Sequence, residues 1–108
     1  MTFDEYQQAA RATAMYPQDL KLIYPALGLA GETGEVVDHI KKVIRDNNRE
    51  VNAERRELIA KELGDVLWYM ASIAADLGMT LNEVAELNIK KLKDRAARGV
   101  LQGAGDNR

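Results

Sequence analysis

At 108 residues and a formal net charge of −2, the chain reads as a single domain, able to bury a modest core and more comfortable as an oligomer. Its 46% hydrophobic and 30% charged residues fit an ordinary globular protein and exclude a disordered one, while the weak negative charge gives no bulk attraction for a nucleic-acid polymer. There is no cysteine, which excludes disulfides and thiolate chemistry.

The start Met1-Thr2-Phe3-Asp4-Glu5-Tyr6 lacks the basic and apolar regions of a signal peptide, and no apolar run approaches membrane-spanning length. The default expectation is a cytoplasmic protein with no membrane partner. Pro17 and Pro25 are the sole prolines, and Ala, Leu, Glu, Lys and Arg are abundant, so an all-α chain is predicted.

Thr2 and Glu5 form a capping-box pattern that opens a first helix, expected to reach about Met15. Tyr16-Pro17-Gln18-Asp19 reads as a turn, followed by a short connection to Tyr24. A second helix is predicted from near Pro25, a residue suited to a first helical turn, to near Asp46. A third runs from about Asn52 to Leu77, where Gly78 stops it. Thr80 with Glu83 opens a fourth helix over Leu81 to about Arg98, ended by Gly99, and a flexible tail is expected from about residue 100. One domain, residues 1–108, of four-helix-bundle type accounts for the whole chain.

Within these helices lie two acidic pairs of equal spacing, Glu32-x-x-Glu35 and Glu62-x-x-Asp65. Residues three apart share a helix face, so each pair aims two carboxylates in one direction. At about 100° per residue, Glu62 falls inside the stripe formed by Leu58, Ile59, Val66, Tyr69 and Ile73, with Asp65 at its edge. Glu32 borders a second stripe of Leu29, Val36, Ile40 and Val43. A carboxylate in an apolar setting is costly unless paired, and four converging carboxylates call for a hard divalent cation, Mg²⁺ first and Mn²⁺ as a substitute. Gly31 and Gly34 interleave the first pair, which suggests that a ligand or another backbone comes close there. The bland alternative, a solvated acidic helix face, fits Glu32-x-x-Glu35 taken alone but not Glu62.

On the fourth helix Asn88, Lys91 and Arg95 share a face with Leu81, Val84 and Leu92. Such cations either pair with a neighbouring acidic helix or receive a polyphosphate, for which Arg offers a forked contact and Lys a point charge. His39, the single histidine, lies near the acidic site, and without Glu-x-x-His pairs a di-iron bundle is disfavoured. Trp68 and Tyr69 are either core packing or a stacking surface for a base, and Phe3, Tyr6 and Gln7 of the first helix are further candidates for specificity.

Three segments carry a resemblance: Gly28-Leu29-Ala30-Gly31-Glu32-Thr33-Gly34-Glu35-Val36, Lys61-Glu62-Leu63-Gly64-Asp65-Val66-Leu67-Trp68-Tyr69, and Asn88-Ile89-Lys90-Lys91-Leu92-Lys93-Asp94-Arg95. They resemble the signatures of the MazG-like nucleotide pyrophosphohydrolases, within the all-α NTP pyrophosphatase superfamily. The resemblance implies Glu32, Glu35, Glu62 and Asp65 as metal ligands, and Asn88, Lys91 and Arg95 as sugar and phosphate contacts. Where the family motif opens with an additional Glu, this chain has Gly31.

The implied activity is Mg²⁺-dependent hydrolysis of a (deoxy)nucleoside triphosphate to the monophosphate and pyrophosphate, a house-cleaning role, by a homodimer or homotetramer. Glu35 or Glu32 is the expected catalytic base, and Lys42, Trp68 and Tyr69 are further expected substrate contacts. Two alternatives stand beside this: dUTP or phosphoribosyl-ATP as substrate within the same superfamily, or a non-catalytic helical bundle that binds metal or nucleotide.

Overall fold

A computed structural model describes residues 1–108 as four α-helices and a short 3₁₀ turn, with no strand. The helices are α1 (Phe3–Arg11), α2 (Ile23–Asp46), α3 (Ala53–Asp76) and α4 (Leu81–Arg98), with the 3₁₀ turn at Gln18–Leu20. The capping boxes expected at Thr2–Glu5 and Thr80–Glu83 both form, each joining two otherwise orphaned amides to side chains. Asn52 caps α3 by accepting from the Arg55 amide at 2.7 Å. Gly99, at φ 71°, supplies the left-handed residue that ends α4.

One helix limit differs from expectation, and another is met with an added detail. The first helix stops at Arg11 rather than near Met15, because the Thr13 and Ala14 amides tighten into i→i+3 turns and the Thr13 hydroxyl donates to the Ala10 carbonyl at 2.7 Å. Downstream, α2 starts at Ile23, with Leu22 at φ 67° before it, so Pro25 lies inside the first turn and is fully buried.

Packing is centred on α3. The most extensive contact pairs α2 with α3 as an antiparallel hairpin, while α1 and α4 pack on α3 and on each other. Ala71, Ala74 and Leu81 form the buried apolar cluster, with Tyr6 and Leu67 against it. Gln7 ties this end together: its amide donates to the Ala71 and Met79 carbonyls at 3.3 and 3.0 Å, and its carbonyl accepts from the Leu81 amide at 3.0 Å. Both polar ends of Gln7 are thus spent on holding the α3–α4 turn, which removes it from the candidates for substrate specificity.

Asp76, at the end of α3, makes the second tie. Its carboxylate accepts from Arg11 Nη2 at 2.6 Å, from the Tyr16 hydroxyl at 2.7 Å and from the Leu22 amide at 3.0 Å. Burial alone would raise the Asp76 pKa, but the Leu22 amide, Tyr16 and Arg11 outweigh it and hold the group below the ordinary Asp value. The connection between α1 and α2 is thereby pinned to α3, with Tyr16 and Tyr24 stacked 5.1 Å apart.

The single chain is open. Its radius of gyration is 16.7 Å, whereas a compact chain of this length has about 13 Å. It exposes 7809 Å², against about 6,000 Å² for a compact monomer of this mass. Among the large exposed apolar side chains are Val37, Ile40 and Ile44 on α2, Leu63 and Met70 on α3, and Val84, Leu87, Ile89 and Leu92 on α4. None of the four helices is long and apolar enough to cross a membrane.

Candidate metal and nucleotide site

The α2–α3 hairpin brings Glu32, Glu62 and Asp65 together, with one carboxylate oxygen from each lying within 4.8 Å of the others. Glu32 and Glu62 are half-buried and Asp65 is exposed. Helical spacing places Glu62 and Asp65 on one side of α3, and the antiparallel packing of α2 sets Glu32 opposite them.

No lysine or arginine forms an ion pair with any of the three. The Glu32 pKa is raised above the ordinary carboxylate value by desolvation first, then by a hydrogen bond shared with Glu62, and then by the negative charge of Asp65, Glu62 and Glu35. Three oxygen donors at this spacing suit a hard cation such as Mg²⁺, whose remaining positions are filled by water or phosphate. The donor set therefore fits a hard divalent cation, the class of metal expected from the sequence.

Glu35 is exposed and stands outside the three-carboxylate group, although its charge reaches Glu32. His39 lies at 3.6 Å from Glu62 through Nε2, while Arg55 Nη1 meets its Nδ1 at 3.0 Å. Because arginine is always a donor, Nδ1 accepts and the ring proton resides on Nε2, facing Glu62.

Beside the carboxylates, Glu32, Asp65, Trp68 and Tyr69 line a shallow cleft of about 300 Å³. Trp68 donates its indole N–H to the Thr13 hydroxyl at 2.8 Å and meets Tyr69 edge-to-face, with ring centroids 5.0 Å apart. Burial, then the neighbouring Tyr24, Glu32 and Asp65, raise the Tyr69 pKa. The phenol ring occupies the space a side chain would take at Gly28: a Cβ there falls 2.1 Å from Tyr69 Cε1. At Gly31 and Gly34, by contrast, nothing in the chain comes within 4 Å of such an atom. The close approach thus occurs one turn before the two glycines that the motif drew attention to.

The cations expected to bind substrate divide into two groups. Lys42 is committed to Asp38 at 2.7 Å, an i,i+4 pair on α2, with Lys41 on the same carboxylate at 2.8 Å. Asn88 and Lys91 line an open groove of about 570 Å³ along α4, with Val84, Leu87, Lys90 and Asp94. Arg95 is buried, 6% exposed, and together with Lys91 it holds Asp106. The helix that carries these cations, α4, packs on α1 and α3, and none of them forms an ion pair with the three carboxylates.

Comparison with known proteins follows the same lines. The MazG nucleotide pyrophosphohydrolase domain matches residues 24–100. The chain is 43% identical over 114 residues to the Gene 37 protein of Mycobacterium phage L5, and the alignment covers all of both chains. No solved structure matches. With most of its length matched, including both acidic pairs and the α4 cations, the chain belongs to the MazG nucleotide pyrophosphohydrolase family.

Proposed function

We propose that the protein is a Mg²⁺-dependent nucleoside triphosphate pyrophosphohydrolase that cleaves between the α- and β-phosphates, giving a nucleoside monophosphate and pyrophosphate in a house-cleaning role in the cytoplasm. The observation that carries this reading is the meeting of Glu32, Glu62 and Asp65, unpaired by any lysine or arginine, beside the Trp68–Tyr69 cleft in a chain of this family. When bound, Mg²⁺ neutralises phosphate charge and lowers the pKa of an attacking water.

The chain's own residues supply the rest. Glu32, Glu62 and Asp65 would hold the ion, and Glu35 would take the proton of the attacking water, with Glu32 as the other candidate base. The faces of Trp68 and Tyr69 flank the base. Asn88 and Lys91, backed by Arg95, receive sugar and phosphate, and Lys42, whose bond to Asp38 leaves donors to spare, is a further phosphate contact.

The open single chain supports a homo-oligomer, a dimer or a dimer of dimers. The apolar faces of α2, α3 and α4 then become interface, and α4 of one copy is free to serve the carboxylates of another. Incubation with a panel of nucleoside triphosphates and Mg²⁺ tests the activity. Pyrophosphate as the first product supports the proposal; orthophosphate as the first product, or full activity in Glu62→Gln, overturns it.

A further inference from the structure

The residues after α4, expected as a flexible tail, form a closed loop in the structure. The Arg108 guanidinium donates to the carbonyls of Val100, Gly105 and Leu101 at 3.1, 2.6 and 2.7 Å, so one side chain gathers three carbonyls from its own segment. Arg98 on α4 donates to the Arg108 carbonyl at 2.5 Å. Gly103 and Gly105, at φ 128° and 87°, give the loop the backbone conformations that side-chain-bearing residues resist.

The product of this folding is the placement of Asp106. Its Oδ1 accepts from Lys91 Nζ at 2.6 Å and from Arg95 Nη2 at 3.1 Å, and Arg95 donates as well to the Asp106 backbone carbonyl. Hydrogen bonds from Lys91 and then Arg95 lower the Asp106 pKa, so it is a carboxylate at neutral pH.

The two cations differ in what they have left. Arg95 is buried and its Nη2 donates to the loop, whereas Lys91 is 39% exposed at its side chain and lines the groove with Asn88. An ammonium has three donors, and one bond to Asp106 leaves two for another anion. A lysine side chain otherwise samples many rotamers, and fixing it in advance removes part of the entropic cost of binding.

We propose that Asp106 is a positioning residue: anchored by buried Arg95 and by the loop closed around Arg108, it fixes the Lys91 ammonium over the α4 groove to receive the polyphosphate of the substrate. This rests on the reading that substrate phosphates reach Lys91. The opposite role is a competitor, a carboxylate that occupies the cation until phosphate displaces it. The loop's internal closure favours positioning, because a displaceable segment has no need of Arg108's three carbonyl bonds and the Arg98 tether.

The two roles give opposite signs in one experiment. Calorimetric titration of the full chain with inorganic pyrophosphate is expected to show about tenfold weaker binding in Asp106→Ala, the entropic cost of ordering a Lys91 side chain that is no longer fixed in advance, although a negative charge has been removed beside the anion. Asp106→Asn, which keeps the shape, is expected to weaken binding less, and Asp106→Glu to restore it. In turnover, KM is expected to rise with kcat within about twofold of wild type, because Lys91 is placed at the leaving phosphates rather than at the attacking water. Unchanged or tighter pyrophosphate binding in both Asp106→Ala and Asp106→Asn overturns the proposal. A wild-type protein that binds pyrophosphate yet hydrolyses no nucleotide fails the proposed function and leaves this test standing.

Discussion

Asp65 and Asp76 lie on the same helix, eleven residues apart, which at about 100° per residue sets them on nearly the same face. Their surroundings are opposite. Asp76 is buried and receives donors from Arg11, Tyr16 and the Leu22 amide. Asp65 is exposed and faces two other carboxylates, with no lysine or arginine paired to it. An acid satisfied from within the chain fastens segments distant in sequence; an acid that meets only other acids is completed from outside. The first is a structural clamp; the second supplies part of the donor set of the proposed cation site.

Substitution separates the two most sharply in activity. Asp65→Asn and Glu62→Gln are expected to lower kcat/KM by about 10³-fold or more, since each removes a ligand and charge from the ion that stabilises the transition state. Their folded stability in the absence of divalent ions is expected to stay level or rise, because carboxylate repulsion is relieved. Pyrophosphate release and thermal unfolding of the same preparations check both halves. A destabilised Asp65→Asn would place Asp65 in the same class as Asp76.

Asp76→Asn is expected to do the reverse, costing about 2–4 kcal/mol of stability by leaving a charged donor and a buried hydroxyl poorly matched. Denaturant unfolding measures it. Gly28→Ala is a smaller perturbation with a different cause, the overlap of a new Cβ with the Tyr69 ring. Overpacking of this kind costs about 1–3 kcal/mol and moves the ring that lines the cleft, so KM for the nucleotide is expected to change along with the melting temperature.

The weakest expected contrast is with pH. Asp76 has a folded pKa below its unfolded value of about 3.9, so its contribution is complete above that value and is lost as pH falls through the lower folded pKa. Glu32 is raised, so its sign is opposite: its contribution is present below the unfolded glutamate pKa and is lost as pH rises through the folded one. Metal-free protein is therefore expected to lose stability at both ends of the acid range, and Asp76→Asn to remove only the loss at the lower end.

The meeting of Glu32, Glu62 and Asp65 was legible in the sequence through local periodicity, while Glu35 stands outside the group. Glu62 in an apolar stripe and Asp65 three residues on need only a helix to share a face, and Glu32 needs only the adjacent antiparallel helix. The Asp76 network was not legible, since its partners Arg11, Tyr16 and Leu22 lie more than fifty residues away and no repeat connects them. Its one available signal was the eleven-residue spacing from Asp65.

Lys42 pairs with Asp38, four residues earlier, a contact readable from charge spacing alone. The glycines divide by long-range packing: which of Gly28, Gly31 and Gly34 meets another side chain depends on where Tyr69 lands, a matter of how α2 rests on α3. The bonds from Arg108 to the carbonyls of its own loop were hidden for a similar reason, because composition does not say which carbonyls a guanidinium meets.

Thermal unfolding with and without Mg²⁺ tests the central contrast most directly. Mg²⁺ at about a hundred times its dissociation constant is expected to stabilise the wild-type protein by about 2.7 kcal/mol. The same gain is expected in Asp76→Asn, measured from its lower starting point, and little or none in Asp65→Asn. An equal gain in Asp65→Asn, or none in the wild type, would contradict the assignment of Glu32, Glu62 and Asp65 as a cation site.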